Sequence, residues 1–155
     1  MCLILLSVNN HSRYSLILAG NRDEFLDRPT ASADFWEDAP NILAGRDLRE
    51  SGTWLGISTS GELAVLTNFR NPSGRIQNAI SRGNLVSEFL RNECNPSKYA
   101  ERLADDVHNY NEFNLIFGHH SQLRFFSNPE TKPRMLDPGV YGLNNHLLDN
   151  PWPQL

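Results

Sequence analysis

Cysteine is scarce in this chain of 155 residues: Cys2 and Cys94 are the only two. They stand too far apart for a disulfide framework or for the paired spacing of a cysteine metal site. Long apolar runs are lacking too. The longest near the start, Cys2 to Leu6, falls far short of the roughly 20 residues a membrane-spanning helix needs, and no basic segment precedes it. No transmembrane segment or secretory signal is therefore expected, and the chain is assigned to the cytoplasm. Positive charge is not in surplus: 14 Lys and Arg stand against 18 Asp and Glu, a formal net charge of -4. That balance argues against nucleic acid as a partner. There is no internal repeat and no low-complexity tract. The histidines, His11, His108, His119, His120 and His146, have no ligand spacing, and no metal is assigned.

With 39% apolar and 21% charged residues, the composition is that of a globular domain, and the length suits one domain over 1–155. Cys2–Val8 is rich in branched apolar residues and reads as a strand buried on both faces. Tyr14–Ala19 returns as its antiparallel partner after a turn at Asn9-Asn10-His11-Ser12. Residues 26–41, mixed in polarity and holding Pro29 and Pro40, read as a long loop around Phe35 and Trp36. Gly52–Ile57 and Glu62–Asn68 read as strands separated by a Ser60-Gly61 turn. Beyond Pro72 the period changes. Leu85, Val86, Phe89 and Leu90 make one face of a helix entered at Ser81-Arg82-Gly83. Asn95-Pro96 caps a second helix carrying Tyr99, Leu103 and Val107. Phe113–Gly118 and Leu123–Ser127 form a hairpin, and Tyr141–Asn145 is a further extended piece. Strands, then helices, then strands predict an α+β fold with antiparallel pairing rather than a parallel alternation.

The chemistry-bearing residues cluster at the chain start. If Met1 is removed, Cys2 joins a sulfur nucleophile to an α-amine titrating at about 7.7 to 8.0, so one residue holds nucleophile and base. The competing reading is a small apolar residue opening a buried strand. In Asn21-Arg22-Asp23-Glu24, Arg22 suits a carboxylate or an oxyanion, and Asp23 suits a terminal ammonium; an Arg–Asp pair that merely fixes a turn is the alternative. Asn68, Asn144 and Asn145 are amide donors for an oxyanion or ordinary turn residues. Trp54 packs in the core or lines a pocket, and Arg82 reaches an anion or solvent.

Taken together, Met1-Cys2, Asn21-Arg22-Asp23-Glu24, Arg28-Pro29, Ala44-Gly45-Arg46-Asp47, Gly52-Thr53-Trp54-Leu55-Gly56, Leu66-Thr67-Asn68, Ser81-Arg82-Gly83, Phe113-Asn114-Leu115, Tyr141-Gly142-Leu143-Asn144-Asn145 and Pro151-Trp152-Pro153 resemble the NRDE family, also called the transport and Golgi organisation protein 2 family. That family in turn resembles the N-terminal-nucleophile hydrolases. The resemblance implies an αββα sandwich of antiparallel sheets, incomplete here at its C-terminus because members generally continue past the Pro-Trp-Pro motif. It also implies a cysteine amidohydrolase acting on a small acylated substrate. Cys2 would be nucleophile and base, Asp23 would orient the amine, and Arg22 would supply the local guanidinium. Asn68 and Asn144 would be amide donors, with Asn145 competing for the place of Asn144. Eukaryotic members are linked to haem movement, membrane traffic and lipid or acyl-CoA handling, so the other expectation is a non-catalytic protein that binds haem or a lipid-like ligand. For that role Phe25, Trp36, Trp54 and Phe69 are the candidate walls. An incomplete sandwich would leave sheet surface uncovered and open to self-association.

Overall fold

A computed structural model of the chain describes residues 2–70, 76–92 and 95–150. Cys94, Pro72 and the Pro151-Trp152-Pro153 motif lie outside the described residues. The strands are β1 (Leu3–Val8), β2 (Leu16–Asn21), β3 (Thr30–Trp36), β4 (Ala39–Asp47), β5 (Leu55–Ser58), β6 (Glu62–Asn68), β7 (Phe113–His119), β8 (Gln122–Ser127), β9 (Arg134–Met135) and β10 (Gly139–Leu143). Helices α1 (Gly83–Asn92) and α2 (Pro96–Asp106) stand between β6 and β7. A three-stranded sheet runs β10-β1-β2 and a seven-stranded one runs from β3 to β9 in chain order. All the strand pairings are antiparallel. The fold is thus a mixed α/β structure with antiparallel sheets and two helices.

Alternation along the central strands places the layers. Ala64, Leu66, Leu115, Phe117 and Phe126 face α1 and α2, where they meet Leu85, Phe89, Leu90, Tyr99 and Leu103. Leu63, Val65, Ile116, Leu123 and Phe125 point the other way, onto Ile4, Leu6, Val8 and Leu143 of the three-stranded sheet. Because both faces of the large sheet are covered, β6 and β7 read as nearly continuous apolar runs. The cap of α2 is as expected: Asn95 Oδ1 accepts from Ser97 N at 2.8 Å, and Pro96 opens the first turn. The β7–β8 hairpin turns at His120-Ser121, with His119 paired to Gln122.

Two sequence expectations are corrected. Residues 26–41 do not form a long loop, since β3 and β4 make a hairpin there. Six of the seven β3 residues are exposed, and the register shifts between Ala31 and Asp34 and again between Phe35 and Trp36. An exposed, bulged edge strand has no reason to alternate in polarity, which hid it. Pro40 sits near the start of β4 at an exposed position, where a missing N–H is tolerated. Nor is β1 buried on both faces. Leu3 and Leu5 remain 38% and 50% exposed, and with Ile17 and Val140 they form the uncovered outer face of the small sheet.

Gly52 fixes how α1 meets the sheet. A Cβ there would lie 2.6 Å from the backbone carbon of Gly83, where Thr53 N–H donates to Gly83 O at 3.2 Å. Gly52→Ala is expected to push the start of α1 off the 52–54 segment and destabilise the protein by about 1–3 kcal/mol, as overpacking does. A denaturant midpoint unchanged from wild type would contradict this close approach.

Candidate functional site

Sheet pairing brings two distant segments to the chain start. β1 lies between β2 and β10, with Leu3 opposite Asn21 and Ile4 opposite Leu143. The residues that follow β2, Arg22 to Glu24, and those that follow β10, Asn144 and Asn145, therefore flank Cys2. Cys2 is half-buried. Its backbone N–H donates to Asn145 Oδ1 at 3.2 Å, and its Sγ lies 4.0 Å from the carbonyl oxygen of Asp23. Asn145 Nδ2 donates to Asn68 O at 2.7 Å, so the Asn145 side chain bridges Cys2 to the end of β6.

A cleft of about 360 Å³ opens at this point, with Cys2, Arg22, Asp23, Trp54, Asn68 and Arg82 in its walls. The Asp23 carboxyl is held below the ordinary carboxylate range, first by a hydrogen bond from the chain's terminal ammonium and next by Asn21, whose Nδ2 donates to Asp23 Oδ1 at 2.6 Å. The Arg22 guanidinium lies over the Trp54 ring, 4.0 Å from its centroid, and meets Glu24 Oε2 at 3.3 Å. Stacking on a ring face steadies a guanidinium while leaving N–H groups at its edge for an anion. The Trp54 ring also lies against Gly45 of β4, where a Cβ would come within 2.9 Å of it. Arg82 donates to Glu112 O at 2.9 Å, which ties the cleft wall at the start of α1 to β7.

Of the six residues expected from sequence, five meet in or beside this cleft: Cys2, Arg22, Asp23, Asn68 and Asn145. Asn144 is buried, and its Oδ1 accepts from His146 N at 2.7 Å while its own carbonyl accepts from Thr67 Oγ1 at 2.8 Å. The amide that reaches Cys2 is that of Asn145. Of the aromatic residues offered as ligand walls, Trp54 lines the cleft. Trp36 is in the helix-side core, with Nε1 donating to Ala44 O at 3.1 Å. Phe69 packs edge-on to His146, and Phe25 is 80% exposed.

Sequence reasoning gave no site role to Arg28 and Asp47, which also line the cleft. Arg28 Nη2 lies 2.6 Å from Asp47 Oδ2. Burial works against the Asp47 carboxylate, but Arg28 and the backbone N–H groups of Arg49 and Glu50 outweigh it and hold its pKa low. The signal was present in the Arg28-Pro29 and Arg46-Asp47 dipeptides, although only the paired β3 and β4 make them neighbours. Among the described residues no group of three or more His, Cys, Asp and Glu is arranged to hold a metal ion, and no helix is long and apolar enough to cross a membrane.

Comparison with known proteins accords with the motifs. The family described as Transport and Golgi organisation 2 matches residues 1–155. The chain is similar to the Transport and Golgi organization protein 2 homolog of Bos taurus, 42% identical over 168 residues that cover 100% of this chain and 60% of the bovine protein. The human homolog is likewise 42% identical, with the same coverage. The Drosophila melanogaster protein of that name is 34% identical over 98% of this chain and 60% of its own length. The chain thus spans about 60% of the length of these relatives. On the match over its whole length and on these identities, the chain belongs to the Transport and Golgi organisation 2 family.

Proposed function

We propose that this chain serves a transport role by binding an anionic, lipid-like acyl thioester at the Cys2 cleft, in the cytoplasm. The observation that carries this reading is the Arg22 guanidinium held over the Trp54 ring in the cleft that Cys2 lines. A steadied cation at the mouth of a cleft suits a carboxylate or phosphate head group, and Ile4, Leu66 and Ile80 in the same lining suit an acyl chain. The names of the bovine, human and fly relatives, which refer to transport and Golgi organisation, favour carriage over turnover. Haem does not suit this lining. Cys2 offers a single soft ligand, and no histidine is among the lining residues.

The test is a titration with a long-chain acyl thioester of coenzyme A, followed by tryptophan emission, since Trp54 lies under the proposed head group. A saturable change is expected in the wild type, with binding about tenfold or more weaker, roughly 1.4 kcal/mol, in Arg22→Gln. Equal binding by wild type and Arg22→Gln, or no saturable change in either, overturns the reading.

A second reading is favoured by one observation, the Cys2 nitrogen 3.2 Å from Asn145 Oδ1 with its Sγ 4.0 Å from the Asp23 carbonyl oxygen. If Met1 is removed, the Cys2 nitrogen becomes the terminal amine and Asn145 Oδ1 is already within reach of it. Cys2 then acts as the nucleophile of an amidohydrolase. The sulfur bonds to the acyl carbon, the C–N bond breaks, the departing amine takes the proton, and water hydrolyses the thioester. The αββα assignment belongs with this reading. The described residues supply helices, large sheet and small sheet in that order, and a second helical layer over Leu3, Leu5, Ile17 and Val140 would complete it.

A further inference from the structure

One buried amide at the inner end of the large sheet bears on Cys2 without touching it. On the inter-sheet face of the three central strands the side chains are apolar until the last position: Leu63 and Val65 precede Thr67, Ile116 follows Asn114, and Leu123 and Phe125 precede Ser127. Thr67 pairs with Asn114, and Asn114 pairs with Ser127. The three form a polar ladder across β6, β7 and β8. Thr67 is 1% exposed, and Asn114 and Ser127 are fully buried.

Chemistry fixes the orientation of the Asn114 amide. Its nitrogen lies 2.7 Å from His146 O, 3.4 Å from Asn144 O and 3.2 Å from Thr67 Oγ1. Two of these are carbonyls, which only accept, so the nitrogen must face them. Thr67 Oγ1 accepts from Asn114 and passes its own hydrogen to Asn144 O at 2.8 Å, a chain in which each bond strengthens the next. Asn114 therefore grips the backbone on both sides of Asn145, and Thr67 grips it on the Asn144 side. The side chain of Asn145 then bonds Asn68 O and Cys2 N, and its carbonyl accepts from Arg70 N at 2.9 Å.

Stability alone does not account for this arrangement. Asn114 Oδ1 and Ser127 Oγ are buried and meet no hydrogen-bonding partner among the described residues, a condition that costs about 1–3 kcal/mol per group. An apolar residue at 114 would continue the packed layer beneath it. We infer that Asn114, acting with Thr67, is the positioning residue that sets the Asn145 side chain against Cys2. The inference rests on the reading that the Cys2 cleft is the functional site, but its test uses no ligand.

That test is the rate of Cys2 alkylation by iodoacetamide at neutral pH, measured on the full chain in a Cys94→Ser background so that one thiol reports. Asn145→Ala, Asn114→Leu and Thr67→Val are each expected to move the rate at least about threefold towards that of the urea-unfolded chain. In the Asn145→Ala background, adding Thr67→Val is expected to change nothing further, because both act through one contact. Thr67→Ser, which keeps the hydroxyl, is expected to restore the wild-type rate. If Asn114→Leu fails to fold, the Thr67 variants carry the same test. Lowered stability with an unchanged Cys2 rate, or additive effects of the Thr67 and Asn145 changes, overturns the inference. Failure of the acyl thioester titration would remove the ligand and leave this coupling standing.

Discussion

In a Cys94→Ser background, Cys2→Ala is expected to abolish every covalent adduct formed between the protein and an activated acyl amide, and with it any release of amine. Cys2 is half-buried and its neighbours contact it mainly through backbone nitrogen, so the fold should be unchanged to within about 0.5 kcal/mol. The change is thus a clean removal of sulfur. Asp23, Asn68 and Asn145 stay in place, and none of them is a nucleophile of comparable strength at neutral pH. Intact mass before and after incubation reads both the adduct and the presence of Met1. A wild type that retains Met1 and gains no adduct leaves carriage as the single role of the cleft. Adducts that persist in Cys2→Ala would remove Cys2 from the chemistry.

Phe117→Ala is expected to lower stability by about 3–5 kcal/mol, a large share of the roughly 5–15 kcal/mol typical of a domain. Phe117 is fully buried on β7, with its ring centroid 5.3 Å from those of both Phe89 and Tyr99. Those two rings, on α1 and α2, stand 5.1 Å apart, and the Tyr99 hydroxyl donates to Leu85 O at 2.6 Å. One ring of the sheet therefore meets both helices. Truncating it removes edge-to-face contacts as well as volume, and Phe89 and Tyr99, tied to their own helices, can close the gap only in part. Chemical denaturation measures the loss, and a change below about 1 kcal/mol would show that the helices are held elsewhere. Because Arg82 and the cleft wall stand at the start of α1, ligand binding should weaken as the helix loosens.

What the sequence disclosed follows how locally each feature is encoded. The cap at Asn95, the stripe of α1 and the β7–β8 hairpin depend on neighbours a few residues away and are readable. The hairpin of β3 and β4 was not, since an exposed, bulged edge strand has neither alternation nor apolar run. The gathering of Cys2, Arg22 and Asp23 followed from pairing the first two strands. The choice between Asn144 and Asn145 did not, because adjacent residues in a turn differ only in which amide faces the chain start. Asn114 left a faint mark, one polar residue inside Phe113-Asn114-Leu115-Ile116-Phe117, and only the packed second sheet shows what it grips.

The central claim is that one cleft, assembled from the chain start, the turn after β2, residues 52–54, the end of β6, the start of α1 and the turn after β10, takes the ligand. Backbone hydrogen exchange with and without saturating long-chain acyl-coenzyme A tests it most directly. Protection is expected at residues 2–4, 21–24, 52–54, 66–68, 81–83 and 144–146 together, with the His119–Gln122 hairpin tip unaffected. Protection at that tip or on the outer face of β1 and β2, with the six cleft segments unchanged, would contradict the account.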